Sequence, residues 1–239
     1  MLILALDTTT RLRSLAIARD GIVACEMAGD TASSHAERLP LDVLEICRSA
    51  GVRVADIDLF AVAAGPGSFT GLRVGIAAIQ GLAFAMGTKV VPVSTLEAIA
   101  VADGGHRRVA AWLDAQRNQV FAQLFDLPGR AGHSNDRRLG QGAAAVSALP
   151  DEVLAIWSAA TSLQDVAFRG DGAVRYADDI RAVLGPGVDV AADAPLLAGA
   201  IARIAAADPG RAVRPHDVIP IYVRRPDVEL ARERRQGAP

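Results

Sequence analysis

The residues best placed to do chemistry lie in a glycine-rich turn, Gly65-Pro66-Gly67-Ser68, that follows the apolar run Leu59 to Ala63. Backbone N–H groups freed ahead of a helix can cradle an anion, and Arg73 is the nearby cation. The turn is not a Walker loop. That motif ends in Gly-Lys-Ser/Thr, and the chain's single lysine, Lys89, follows Thr88 away from any glycine loop. Metal and redox chemistry find less support: Cys25 and Cys47 are isolated thiols in apolar runs, and His35, His106, His133 and His216 are scattered without ligand spacing.

A strand and a helix must hold that turn. Pro66 fixes its own φ and the flanking glycines permit positive φ, which closes the strand. Ser68 or Thr70 can cap a helix running from Gly71 to Met86. An interior glycine costs a helix roughly 1 kcal/mol relative to alanine, so these glycines need a reason. Gly71, Gly75, Ala78, Leu82 and Ala85 recur at spacings of four, three, four and three and share one face. That face either packs inside its own domain or meets a partner. On the partner reading, Gly75→Leu is expected to weaken association at least about tenfold with little change in melting temperature.

The 239 residues suffice for one large domain or two modest ones, and for burying roughly 70% of the unfolded surface. An apolar share of 51% predicts a chain folded throughout; an aromatic share of 4% predicts a core of Ala, Val, Leu and Ile with closely approaching elements. The formal charge of −2 argues against a protein organised by bulk electrostatics for nucleic-acid binding. Met1 to Asp7 lacks a basic leader and meets a charge too early for a signal peptide, and no run is read as approaching the ~18 apolar residues of a membrane span. The expectation is a cytoplasmic protein with no membrane contact.

In chain order, Leu2 to Leu6 reads as a buried strand ending in Asp7-Thr8-Thr9-Thr10, and Arg13 to Arg19 and Ile22 to Met27 as a meander around Asp20-Gly21. Ser34-His35-Ala36-Glu37 has capping-box spacing, so a helix is predicted from there to about Ala50, kinked or delayed by Pro40. Leu39, Val43, Ile46, Cys47 and Ala50 form its apolar face. Lys89 to Val93 is a strand, and a second capping box at Ser94 to Glu97 opens a helix that ends at Gly104-Gly105, the junction of two halves. Arg108 to Asp114, Gln119 to Asp126 and Val166 to Arg169 read as strands, with an irregular connection from Leu127 to Gly142 and a helix from about Asp151 to Ala160. Gly170-Asp171-Gly172-Ala173 turns into a helix through about Leu184, and a closing helix is predicted from Pro195 to Ala207. Ile219 to Arg224 is an extended edge segment, followed by a frayed tail from about residue 227. Both halves run strands then helices, as a duplicated α/β unit would.

Together these segments resemble the bacterial TsaB family, subunits that work with TsaD and TsaE in making threonylcarbamoyladenosine in transfer RNA. The likeness runs nearly end to end. It rests on Leu4-Ala5-Leu6-Asp7-Thr8-Thr9, Ser34-His35 with Arg38-Leu39-Pro40, the Gly65 to Gly75 motif, Val93-Ser94-Thr95-Leu96-Glu97, Asp114-Ala115-Gln116-Arg117, Gly170-Asp171-Gly172-Ala173 and Tyr222-Val223-Arg224. It implies an α/β fold of two lobes, actin-like, Hsp70-like and ribonuclease H-like, with a mixed sheet flanked by helices in each. Residues 1–104 would form the N-terminal lobe with the partner-binding helices, and 105–239 the C-terminal lobe.

The resemblance also implies a function. The catalytic relative TsaD holds a metal on a His-x-x-x-His helix; here those positions are Thr95 and Ile99, with Glu97 between them, so no metal site and no catalytic residue are expected. The chain would be a non-catalytic subunit that binds and activates a TsaD-like enzyme, supporting transfer of a threonylcarbamoyl group to the adenosine next to the anticodon. Ser34, His35, Arg38, Leu39, Gly71, Leu72, Gly75, Ala78 and Leu82 would make the contact. A TsaE-like ATPase would join, tRNA would be touched mainly through the complex, and ATP and metal would be held by the partners. A homodimer is open to the chain when alone. The alternative is a small kinase or ATPase acting alone, with Asp7, Thr8 and Thr9 as a phosphate hairpin and Gly170, Asp171 and Gly172 as the second-lobe loop. On the subunit reading these six are vestigial. Since the sequence offers no second carboxylate to set beside Asp7 for magnesium, tight nucleotide binding is not expected.

Overall fold

The computed structural model describes residues 1–29, 35–127 and 144–224, with residues 35–37 by their backbone only. Ser34, the connection expected beyond Leu127 and the tail expected from about 227 lie outside the described residues. Strands β1 (Leu2–Asp7), β2 (Ser14–Arg19), β3 (Ile22–Ala28), β4 (Leu59–Gly65) and β5 (Lys89–Ser94) form one sheet in the order β3-β2-β1-β4-β5. β1, β2 and β3 pair antiparallel, whereas β1, β4 and β5 pair parallel. The β2–β3 turn takes φ of 51° at Asp20 and 80° at Gly21, the left-handed pair that suits the twist of a two-residue hairpin.

The second sheet consists of β6 (Arg108–Asp114), β7 (Val120–Asp126), β8 (Val146–Ala148) and β9 (Val166–Arg169), in the order β8-β7-β6-β9. Its first strand again pairs antiparallel on one side and parallel on the other. The mixed sheet is thus repeated with one strand fewer, giving the two-lobed α/β architecture. Three-residue β8 is too short to leave an alternating pattern in the sequence.

Seven helices cover these sheets among the described residues: α1 (His35–Ser49), α2 (Phe69–Met86), α3 (Thr95–Asp103), α4 (Pro150–Ala160), α5 (Asp171–Arg175), α6 (Ala177–Leu184) and α7 (Ala198–Ala207). Side chains alternate across a strand, and β1 uses that alternation to build two cores. Leu2, Leu4 and Leu6, with Ile17, Phe60 and Val62, pack under α1 and α2. Ile3 and Ala5, with Ala16, Ala18, Ala61 and Ala63, pack under α3 and α7 in a cluster that continues into Val109, Ala111 and Leu113 of β6. This alanine-rich core joins the lobes. The outer face of the second sheet is closed by α4, α5 and α6 around Trp112, which meets Trp157 and Phe168 edge-on.

Several sequence expectations need correction. Assignment of everything after 105 to the second lobe fails, because α7 packs on β1 and β2 and residues 209–217 pack on β5 and α2. Residues 219–224 form no sheet edge. Their one backbone bond to the first sheet runs from Ile221 N to Ala64 O, 2.6 Å. And α2, at 18 residues and mean hydropathy 1.4, is long and apolar enough to cross a membrane; its inner face nevertheless packs on β4.

Two non-local polar contacts fix the helices. Arg13, expected to open β2, lies outside it and pairs with Asp42 of α1 at 2.6 Å, both side chains 1% exposed. Breaking such a buried pair typically costs ~3–5 kcal/mol. α1 runs unbroken through Pro40. Helix α7 starts at Ala198 rather than at Pro195, and its cap comes from the meander: Ser14 Oγ accepts from Leu197 N at 3.2 Å and Ala198 N at 3.1 Å, and Glu26 Oε1 accepts from Gly199 N at 2.8 Å. A carboxylate at this end also meets the positive end of the helix dipole.

Ser14→Ala strips two buried N–H groups of their acceptor. The expected loss is about 1 kcal/mol of unfolding free energy, read in urea with an unchanged m-value.

Candidate functional site

Helix α2 begins where Ser68 Oγ accepts from Gly71 N at 3.2 Å and ends at Gly87, a left-handed cap with φ 67°. The turn after β1 is built against its first two turns. Thr8 Oγ1 donates to Gly71 O at 2.7 Å, and Ser68 N donates to Thr9 O at 2.8 Å. A Cβ at Gly71 would overlap the Thr8 carbonyl oxygen, and one at Gly75 the Thr8 hydroxyl. These glycines admit Thr8.

The glycine face therefore points inward, which corrects the expected contact set. Gly71, Leu72, Gly75 and Leu39 are buried in the first lobe. Ala78 and Leu82 are half-buried and pack on the core under α1 and α2. Arg38 is exposed, its Nε 3.3 Å from Asp42 Oδ1. Ser34 and the His35 side chain fall outside the described residues.

What α1 and α2 leave open lies on the opposite side. Leu41 is 60% exposed, Leu44 53% and Phe84 80%, and Ala77 and Gly81 are exposed with them; Ala85, the last residue of the glycine face, is exposed too, at the end of the helix. The two helices touch and cover the same sheet face, and each turns its share of these residues, the apolar strip of the pair, to solvent. The sequence carried a signal for it: Leu41 and Leu44 are apolar residues off the core face of α1, three apart.

Across the lobes, Asp7 is fully buried and organises its own turn. Its Oδ1 accepts from Thr9 N at 2.8 Å and Thr9 Oγ1 at 2.5 Å, and its Oδ2 from Thr10 Oγ1 at 2.9 Å. With Thr8 bonded to Gly71 O, the hydroxyl donors of a phosphate hairpin are committed within the chain. The second carboxylate that the sequence did not offer comes from the other lobe. Asp171 Oδ1 accepts from Asp114 N at 3.0 Å. Burial, then the charges of Asp114 and Asp7, push its carboxyl above the usual aspartate value, against backbone bonds that pull the other way. Gly170 and Gly172 fit close to β6: a Cβ at Gly170 would overlap Trp112 O, and one at Gly172 would press on Leu113.

At the start of α3, where the resemblance would set a histidine pair, Thr95 Oγ1 donates to Thr9 Oγ1 at 3.2 Å and Ile99 is core. Glu97 is held by Arg211 at 2.7 and 2.9 Å. A hydroxyl bonded inward, a hydrocarbon and a paired carboxylate do not fit a transition metal.

The family model described as TsaD, tRNA N6-adenosine threonylcarbamoyltransferase, matches residues 26–188, more than half of the chain. The chain belongs to the TsaD family. Its relatives include the tRNA threonylcarbamoyladenosine biosynthesis protein TsaB of Escherichia coli, 37% identical over 51% of this chain and 53% of that protein, and that of Bacillus subtilis, 32% identical over 52% and 55%. The chain spans about half the length of the curated relatives it matches. A solved structure from Pseudomonas aeruginosa, described as an uncharacterized protein with similarity to peptidase YEAZ, superposes with a TM-score of 0.73 at 31% identity, covering 93% of this chain and 99% of that one. A second, YeaZ from the same organism, gives 0.71 at 29%. This member of the TsaD family thus has the two-lobed fold of those neighbours.

Two outcomes follow for the buried turns. Gly75→Leu is expected to lower the melting temperature, since overpacking typically costs 1–3 kcal/mol and here meets the Thr8 hydroxyl. Asp171 binds its proton more tightly in the folded state than the ordinary 3.8 of an unfolded aspartate, so stability falls as pH rises from there through the folded value. Asp171→Asn is expected to melt above the parent at neutral pH, with the gap closing toward about pH 4 in a series of thermal scans.

Proposed function

We propose that this chain is a non-catalytic subunit that supports transfer of a threonylcarbamoyl group to the adenosine next to the anticodon of tRNAs, by binding and activating a TsaD-like enzyme. The observation that carries the reading is the outward apolar strip of Leu41, Leu44 and Phe84 on a member of this family. Large apolar side chains left exposed on two touching helices fit a protein contact. Thr95 and Ile99 support the non-catalytic role, because neither replaces an imidazole ligand. The committed threonine donors at Asp7 count against an ATPase acting alone. ATP and metal are assigned to the partners, a TsaE-like ATPase to the same assembly, tRNA contact mainly to the complex, and the setting to the cytoplasm. Without the enzyme the same strip offers a homodimer contact.

Leu44→Asp and Phe84→Asp place a charge on the strip without touching the core. Each is expected to lower affinity for the TsaD-like subunit at least about tenfold, ~1.4 kcal/mol, in calorimetric titration. Stability should stay within about 0.5 kcal/mol of the parent, as surface changes do. Undiminished binding by both variants would place the contact elsewhere, and transfer by the purified chain alone would overturn the non-catalytic role.

A further inference from the structure

The Tyr222-Val223-Arg224 motif plays no part in the strip on α1 and α2, yet it is the most connected part of the chain's last described stretch. At one end it lies on the first lobe. Ile221 N donates to Ala64 O at 2.6 Å, and a Cβ at Gly65, whose φ is 110°, would meet Ile221 O at 2.5 Å. Tyr222 packs on Phe69, ring centroids 5.9 Å apart. At the other end it lies on the second lobe. Arg224 Nη1 donates to Ala115 O at 3.0 Å, Arg224 Nη2 bonds Gln119 Oε1, and the guanidinium stands 5.5 Å over the Phe121 ring. Val223 between them packs on the core shared by both lobes.

The two anchor points are not ordinary loops. Arg224 brackets the β6–β7 turn, where Gln116, Arg117 and Asn118 take φ of 59°, 55° and 59° in succession. Non-glycine residues enter that region one at a time and at a cost, so a run of three needs support from its surroundings. Each anchor is also one hydrogen bond from the facing turns of the two lobes: Ser68, in the glycine turn, donates to Thr9 O in the Asp7 turn, and Asp114 N, at the base of the β6–β7 turn, donates to Asp171. The charge of Asp7 reaches Asp171 as well and adds to what raises its carboxyl.

We propose that residues 219–224 are a clasp across the junction of the lobes, holding the Asp7 turn of one lobe and the Gly170-Asp171-Gly172 loop of the other closed on each other. Arg224 is its catch, because its guanidinium binds a backbone oxygen and a side-chain oxygen on either side of the strained turn. The clasp rests on contacts within this chain and is independent of what α1 and α2 bind.

Hydrogen–deuterium exchange of the full chain, read by mass spectrometry, tests it. Arg224→Ala is expected to speed exchange at least about fivefold in residues 7–10, 114–119 and 170–173 together, with β2, β3 and α4 exchanging as in the parent. Gln119→Ala removes only the side-chain acceptor and should show the same pattern more weakly, which keeps the test open if the arginine variant does not fold. Faster exchange confined to 115–119 would make Arg224 a local brace of one hairpin and overturn the proposal. Unchanged exchange at 7–10 and 170–173, or a uniform rise over the whole chain, would overturn it as well.

Discussion

The seating of Thr8 between Gly71 and Gly75 is the contact on which the rest of the first lobe depends. A strand end reaches the body of a helix only if the helix has no Cβ there, and α2 gives up two, at roughly 1 kcal/mol of helix propensity each. In exchange the Thr8 hydroxyl makes a buried hydrogen bond to Gly71 O, and the Asp7 turn is pinned to the start of α2. Once the glycines face inward, the rotation of the helix is fixed. Ala77, Gly81 and Phe84 must face outward, and the strip they form with α1 is a consequence of how Thr8 packs.

Elements whose causes are local were legible in the sequence. The continuous apolar strand Leu2 to Leu6, the Asp20-Gly21 turn and the Ser94 cap each act within a few residues, and the structure has them where the pattern puts them. The glycine spacing in α2 was legible as a close approach. Which backbone approached was not, because Thr8 lies more than sixty residues earlier. The α7 start was misread for the same reason. Pro195 is a good local signal, but Ser14 and Glu26 supply the acceptors from β2 and β3. The proximity of Asp171 to Asp7 likewise depends on how two lobes meet, which no spacing along the chain encodes.

Where the lobes meet, groups of the types that do chemistry are engaged within the chain. Asp7 and the threonines after it stand at a strand end where donors and a carboxylate could serve a phosphate and its cation. Here Thr8, Thr9 and Thr10 give their hydroxyl protons to Gly71, Asp7 and Asp7 again. Glu97 is turned to Arg211. Each of these groups now holds the protein together, so the residues most suggestive of catalysis are among those most tied to its stability.

The capping of α7 by the meander has a bearing on how the chain is made. During synthesis β1 to β3 leave the ribosome early, but the helix that covers Ala16 and Ala18, and that takes up Ser14 Oγ, follows some 180 residues later. The whole second lobe is translated in between. At about 5–20 residues per second the alanine face of the first sheet waits uncovered for on the order of 10 s or more, an interval in which unpaired apolar surface is open to wrong partners. The small side chains of that face keep the exposed area low, so the alanines that let the lobes approach in the finished molecule also limit stickiness in the unfinished one.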